Sequence, residues 1–361
     1  MKIAIDARMI NMSGIGTYIR TLLNQDIYDV ALGNRNDINN CDASMDIIDF
    51  EDKIYGISEQ IHYPIRTLRN KNVDLLHLPH YNVPLFYRGD IAVTIHDLTH
   101  LVLPEFLPNK FAYIYAKVII GYAVRKAKVI FTVSENSKKD LIKYFKVKPS
   151  KIIVTYNAVD KCFVHKDIKD VDYLVKKYNI PENKKIIMYV GNLKPHKNLV
   201  RLLNAYSRMK NIDDTCLVLV GKAFDNTELD NTVSQLKIEN KVIKTGMIET
   251  QELVDFYNIA DLFAFPSLYE GFGIPPLEAM ACGTPVVCSD NSSLPEVVGD
   301  AAVTFNPYDT EAIKEAMEKV LMSQTLADEL IEKGYERAKM FDNSSIINQT
   351  KQAFKKIEDM K

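Results

Sequence analysis

The sequence predicts an α/β protein built on two doubly wound parallel sheets, and three observations carry that prediction. Short runs rich in β-branched residues alternate with helical patterns along all 361 residues. Such alternation reads as βαβ units with helices on both faces of each sheet. Eleven such runs can be counted, which suits two sheets better than one. A polar, charge-rich stretch, Asp160–Asn183, then interrupts the pattern before a fresh strand begins. Length agrees, at roughly 100–200 residues per domain.

In the first half the strand runs are Lys2–Asp6, Val73–His77, Ala92–His96, Val129–Val133 and Ile152–Thr155. The first leads to Gly14-Ile15-Gly16 and a helix over Thr17–Leu23. Leu107–Lys128 reads as an amphipathic helix. Phe111, Ile114, Tyr115, Val118, Ile119 and Tyr122 make one face, and Lys110, Lys117 and Lys128 recur on another. For the helix after Val133, Ser134 and Ser137 are both reasonable caps. In the second half the strand runs are Lys185–Val190, Leu217–Val220, Val242–Thr245, Leu262–Phe265, Pro285–Cys288 and Val303–Phe305. Helical patterns cover Val171–Tyr178, Asn198–Lys210, Thr250–Ile259, Leu277–Cys282 and Thr310–Met322, and a polar helix, Phe341–Lys361, follows the last strand. The expected division is a domain over 1–165, a second over 166–340, and the closing helix 341–361.

Composition narrows the function classes. Apolar residues make up 47% and charged residues 25%, which is ordinary for a globular chain with ample core. The net charge of −2 supplies no global basic field, so nucleic acid is not an expected partner. Five cysteines without a CxxC argue against a disulfide scaffold or a Cys-rich zinc site, and fit buried thiols in a reducing cytoplasm. The opening run carries Asp6 and Arg8 and is not expected to be a secretion signal. No run reaches the ~18 apolar residues of a membrane span. Charge is uneven: Glu105–Lys151 holds eleven Lys/Arg against three acids, a local +8. The helix within it is either a surface helix packed on its own sheet or an element lying on an anionic bilayer.

The densest chemistry lies between Asp261 and Asp290. A strand runs into Glu270-Gly271-Phe272-Gly273-Ile274-Pro275-Pro276 and then a helix. The glycines permit close approach and positive φ, and the prolines fix a helix start where a missing N–H costs nothing. The product is an exposed helix N-terminus at the carboxyl end of a strand, a place that suits phosphate. Glu270 and Glu278 bracket the turn. A glutamate there can simply answer the helix dipole. Alternatively, both carboxylates face one ligand, each suited to a vicinal diol. Acids repel free phosphate, so that ligand would carry hydroxyls beside its phosphate.

The run Glu270–Glu278 resembles the E-x7-E motif of retaining GT-B glycosyltransferases of the family-4 type, the glycosyl transferases group 1. Ala279-Met280-Ala281-Cys282-Gly283-Thr284-Pro285-Val286-Val287, Leu294–Asp300, Val190–Asn198, and Ile5–Arg8 with Ser13–Thr17 resemble that family too. The resemblance implies an N-terminal acceptor domain and a C-terminal donor domain, both Rossmann-like, facing across a cleft. It implies a closing helix that crosses back to the first domain. Transfer would retain anomeric configuration without a metal or cofactor, the nucleotide-sugar being a substrate.

By the same resemblance Glu278 holds the donor ribose and Glu270 the sugar near its C3 and C4 hydroxyls. The N–H groups of Phe272, Gly273 and Ile274 meet the sugar or diphosphate. Gly191 ends a strand before Lys194 and Lys197; lysines so placed are usually solvated, but Lys197 matches the family's phosphate-binding lysine. Many relatives carry Arg directly after the glycine where this chain has Asn192, which leaves Lys194 as the candidate second cation. Gly14 and Gly16 would lie over the donor phosphate. The GxG is weak as a dinucleotide fingerprint, since Ile19 takes the third glycine position. His96 would stand beside the anomeric carbon, and His77, His80 and Asn82 would line the acceptor side. Spacing among these histidines allows metal ligation, but clustering alone does not make a site, and no metal is expected. Asn157-Ala158-Val159-Asp160 resembles the family's Asn-Gly-Val-Asp turn, with alanine for glycine.

The implied activity is a cytoplasmic, retaining hexosyltransferase at the inner face of the cell membrane. It would move mannose from GDP-mannose to a glycan or lipid-linked acceptor in bacterial surface-polysaccharide (lipopolysaccharide O-antigen type) synthesis. The alternatives are a disaccharide synthase or phosphorylase with a soluble acceptor, and a non-catalytic nucleotide-sugar-binding partner. Intact Glu270, Glu278 and Lys197 argue against the latter.

Overall fold

The computed structural model describes residues 1–41, 45–166, 172–222 and 227–359. The chain divides into two compact units, one of Met1–Ala158 with the chain from Asp342 onward, the other of Val159–Phe341. The first unit holds a seven-stranded sheet: β1 Ile3–Asp6, β2 Val30–Gly33, β3 Asp46–Asp49, β4 Leu75–Leu78, β5 Asp90–Ile95, β6 Val129–Thr132 and β7 Ile152–Val154. The second holds six strands: β8 Lys185–Val190, β9 Thr215–Val220, β10 Val242–Gly246, β11 Leu262–Phe265, β12 Val286–Ser289 and β13 Ala302–Phe305. Every ladder is parallel. Strands buried on both faces read as unbroken apolar runs, and β1, β4, β9 and β11 are buried at every position.

Two strands escape the sequence reading. β2, Val-Ala-Leu-Gly, has a single β-branched residue and so carries little of the pattern that marks strands. β3 is an edge strand in which only Ile48 is buried, so polar residues dominate its pattern.

Strand order decides where a ligand can bind. The first sheet runs β3-β2-β1-β4-β5-β6-β7 and the second β10-β9-β8-β11-β12-β13. Each order reverses direction once, between β1 and β4 and between β8 and β11. At such a switch point the crossovers leave on opposite faces and open a crevice at the strands' carboxyl ends. The loops after β4, β8 and β11 carry His80, Lys197 and Glu270, and Gly14 lies in the first turn of the helix Ser13–Leu23 that follows β1.

The division falls at Ala158/Val159 rather than at 165/166. Residues past it belong to the second unit by their bonds: Val159 N donates to Phe341 O (3.1 Å), Lys166 N to Asn258 Oδ1 (2.7 Å), and His165 Nδ1 meets Cys282 O at 3.2 Å. The helix expected over Val171–Tyr178 is described from Asp172 to Tyr178; Val171 lies outside the described residues. The closing helix spans Asn343–Asp359 within the first unit, and the last two residues of the expected helix lie outside the described ones. Its Phe354 ring sits 6.1 Å from Tyr28 and 5.7 Å from both His77 and Phe131. Ser134, not Ser137, caps the helix Glu135–Phe145, its hydroxyl accepting from Ser137 N at 2.9 Å. None of the five cysteines, all among the described residues, is in a disulfide; four are buried and Cys162 is half-buried.

The amphipathic helix spans Lys110–Lys126, started by Asn109. Its buried residues are Ala116, Ile120, Gly121, Ala123 and Val124. Ile120 and Val124 pack inward beside the small residues, and the face expected to pack inward is turned out. Phe111 is 82% exposed, Val118 57%, Ile114 54% and Tyr115 50%. Among the described residues no helix is long and apolar enough to cross a membrane.

Candidate functional site

The second unit's switch point is built by close packing first. A Cβ on Gly191, at the end of β8, would stand 2.6 Å from the Tyr189 hydroxyl, and one on Gly221 would stand 1.8 Å from Gly191 O. Beyond Gly191 a single 3-10 turn, Pro195–Lys197, ends on Asn198 with φ 62°. The Asn198 amide donates to Pro266 O (3.0 Å) and Pro307 O (2.8 Å), and Leu268 N donates to His196 O (2.7 Å). The loops after β8 and β11 are thereby fastened together. Lys197 Nζ lies 2.6 Å from Glu270 Oε1, with only 16% and 13% of the two side chains exposed. The ammonium also sits 5.4 Å from the centre of the Phe265 ring. Lys194 is exposed and takes no part in this pairing.

The glutamate loop is clamped from the segment after β12. Ser292 Oγ accepts from Glu270 N (3.1 Å), Ser293 Oγ donates to Glu270 O (3.0 Å) and Phe272 O (2.7 Å), and Asn291 Nδ2 donates to Leu268 O (2.7 Å). Gly273 caps the helix Ile274–Cys282 with φ 109°, followed by Pro275 and Pro276. Phe272 is buried, its ring 5.5 Å from that of Phe341. Ile274 opens the helix and is its one residue among Phe272, Gly273 and Ile274, whose N–H groups are the expected anion contacts; Pro275 and Pro276 carry no N–H.

Glu278 is not a surface answer to the helix dipole. Burial pushes its carboxyl up to about 7, although the Tyr257 hydroxyl, donating to Oε2 at 2.9 Å, favours the charged form. Asp160 adds to the upward push. Sequence reasoning missed Tyr257, Asn198, Asn291, Ser292 and Ser293. The turn-forming run Asp290–Ser293 after a strand is the one signal that marked the last three.

In the first unit the expected residues part company. His96 follows β5; its Nε2–H donates to Pro79 O (3.0 Å), its carbonyl accepts from Ser137 Oγ (3.3 Å), and its ring meets Tyr18 edge-on at 5.0 Å. Burial lowers its basicity, so the ring is neutral with Nδ1 as its acceptor. His77, expected on the acceptor side, is a core residue. Its Nδ1 is hydrogen-bonded to Tyr28 OH (2.6 Å) and its Nε2 to Thr94 Oγ1 (2.8 Å), and burial pushes its pKa down to about 3. His80 and Asn82 are also buried. Asn82 N donates to His80 Nδ1 (3.1 Å) and Asn82 Nδ2 to Glu59. Glu59 accepts in turn from Arg8 Nη2 (2.7 Å), whose guanidinium forks onto Asp6 (2.9 and 2.5 Å). The two residues thus belong to a buried ionic network rather than to an open acceptor surface. Gly14 is exposed, but the missing side chain of Gly16 is used by the chain itself: a Cβ there would lie 2.2 Å from Ile10 O.

Two Rossmann-like units, the second presenting a lysine, a paired glutamate, a helix start and a half-buried second glutamate, define a protein of the GT-B glycosyltransferase class. The chain belongs to the family-4 glycosyltransferases. Residues 170–337 match the glycosyl transferases group 1 model and residues 50–161 the glycosyltransferase family 4 model. O-antigen chain mannosyltransferase B of Escherichia coli is 32% identical over 292 residues, covering 80% of this chain and 76% of that protein. The serotype-specific mannosyltransferase WbdA of Escherichia coli is 30% identical over 70% of this chain, but the chain spans only 31% of its length. In fold the chain is similar to Anabaena Alr3699/HepE, solved with UDP and glucose, at TM-score 0.80 and 18% identity over 99% of this chain and 100% of that one.

Proposed function

We propose that this protein is a retaining, metal-independent hexosyltransferase. It takes mannose from GDP-mannose and delivers it to a glycan or lipid-linked acceptor in bacterial surface-polysaccharide synthesis. One observation supports this reading above the others: Lys197 and Glu270 pair at the β8/β11 switch point, just before the helix that carries Glu278. Lys197 and the helix N–H groups suit a diphosphate, and Glu270 and Glu278 suit pairs of hydroxyls. The relatives named as mannosyltransferases support mannose.

In the proposed reaction the bond from the anomeric carbon to the diphosphate oxygen breaks as the acceptor oxygen bonds to the same face. The acceptor proton passes to the departing phosphate, whose charge Lys197 and the helix N-terminus stabilise. Glu270 holds hydroxyls and is not a nucleophile. His96, with its Nε2 hydrogen committed to Pro79 O, is not an obligatory base. Lys194 is kept as a second, peripheral cation for the diphosphate. Acceptor delivery is assigned to an anionic membrane surface at the cytoplasmic face, met by the helix Lys110–Lys126.

Proton NMR of the product, made from GDP-mannose in EDTA, tests the reading. An α-linked product formed at an undiminished rate in the chelator is expected. A β-linked product, or activity restored only by Mg²⁺ or Mn²⁺, would refute retention or metal independence respectively.

A further inference from the structure

Lys197 and Glu270 are expected to hold different parts of the donor, the diphosphate and the sugar. In the free protein they hold each other, at 2.6 Å. Neither is free to drift, because Leu268 N bonds His196 O and Ser292 and Ser293 grip the Glu270 backbone. Both side chains are mostly buried, so separating them leaves two poorly hydrated charges.

From this geometry we infer that the Lys197–Glu270 pair makes the site select an intact nucleotide-sugar over a free nucleoside diphosphate. The inference rests on the nucleotide-sugar reading. A nucleotide-sugar answers both charges at once, diphosphate to the ammonium and hydroxyls to the carboxylate. A nucleoside diphosphate answers only the ammonium. It strands the Glu270 carboxylate beside further negative charge, and like charges at close range repel. After transfer the sugar no longer covers Glu270, and the re-forming ion pair competes with the spent diphosphate for Lys197. Glu270 is thus a specificity-determining residue that weakens product binding.

Calorimetry with GDP, UDP and GDP-mannose tests this on the full chain. Glu270→Gln keeps the shape and removes the charge. It is expected to tighten binding of the nucleoside diphosphate by on the order of tenfold, within the usual range of coupling between two ligand groups. GDP-mannose should gain less, since its hydroxyls lose a charged acceptor. Product inhibition should strengthen in parallel. Lys197→Gln should weaken both ligands, and in the Lys197→Gln/Glu270→Gln double variant the tightening should vanish. Thermal unfolding of each variant checks that it folds. If Glu270→Gln does not fold, Glu270→Ser makes the same measurement. Unchanged or weaker diphosphate binding in the folded Glu270 variant, with binding still lost in Glu278→Ala, would overturn the selection role alone. Failure of every nucleotide to bind the unaltered protein would overturn the nucleotide-sugar reading with it.

Discussion

Desolvation pushes the half-buried Glu278 carboxyl up to about 7. The folded value lies above the ordinary one of 4.5. Its contribution to stability is therefore full below the lower value and is lost as pH climbs through the upper. Ligand binding should run the other way, since only the ionised carboxylate accepts two hydroxyl hydrogen bonds without giving a proton. GDP-mannose, whose doubly esterified diphosphate does not titrate here, is expected to bind more tightly as pH rises from 6 to 8. Tyr257→Phe deletes the donor that favours the charged form. The midpoint should then move upward by about one pH unit, a usual effect of one such hydrogen bond. Calorimetry across that range reads both, and an unmoved midpoint would remove Tyr257 from the site.

The helix Ile274–Cys282 is the element on which the donor site depends, and its start is set by one backbone conformation. Gly273 has φ 109°, which L side chains rarely adopt, and a Cβ would press to 2.6 Å from Leu294 Cδ2. Leu294 is fully buried, so its side chain has little room to yield. Gly273→Ala should cost about 1–3 kcal/mol of stability, the scale for a strained backbone. It should also displace the N–H groups meant for the diphosphate. Thermal unfolding and GDP titration together check this: a Tm held at the wild-type value would show that the turn relaxes freely. Gly16 offers the contrast, since its Cβ would strike the Ile10 carbonyl and a substitution there acts on packing of the first helix.

Over the whole molecule, charge and apolar exposure are distributed unevenly. The chain is nearly neutral at −2, yet Glu105–Lys151 carries +8. That segment also exposes Phe111, Ile114, Tyr115 and Val118 on one helix, with Leu85 and Phe86 exposed elsewhere in the same unit. Large apolar side chains left in water on a basic helix suit insertion at the headgroup boundary of an anionic bilayer. The protein is expected to float with vesicles rich in phosphatidylglycerol and to be released in part as salt rises, because screening shortens the reach of the lysines. Phe111→Ser with Ile114→Ser should abolish flotation while leaving thermal stability near wild type, as neither side chain is in the core. Flotation indifferent to lipid charge, or untouched by the double variant, would sink the membrane assignment.

The sequence by itself determined what is local. Period and β-branching marked eleven strands and the α/β class, since alternation between strand and helix is written in neighbouring residues. The glycine-proline turn marked the helix start, because positive φ and a missing N–H leave few other residue choices at Gly273 and Pro275. Motif spacing marked Glu270, Glu278 and Lys197 individually. The tertiary structure decided which of these meet. Lys197 and Glu270 are 73 residues apart and touch because β8 and β11 are sheet neighbours, an order no local pattern encodes. The same holds for Tyr257 under Glu278 and for Ser292 and Ser293 under the glutamate loop. His77 looks like a ligand in a one-dimensional reading and is core in three, because Tyr28, Thr94 and Phe354 converge on it from distant parts of the chain. The helix Lys110–Lys126 buries Ala116, Ile120, Gly121, Ala123 and Val124 instead of Phe111 and Ile114 for a similar reason: only the fold says which face packs inward.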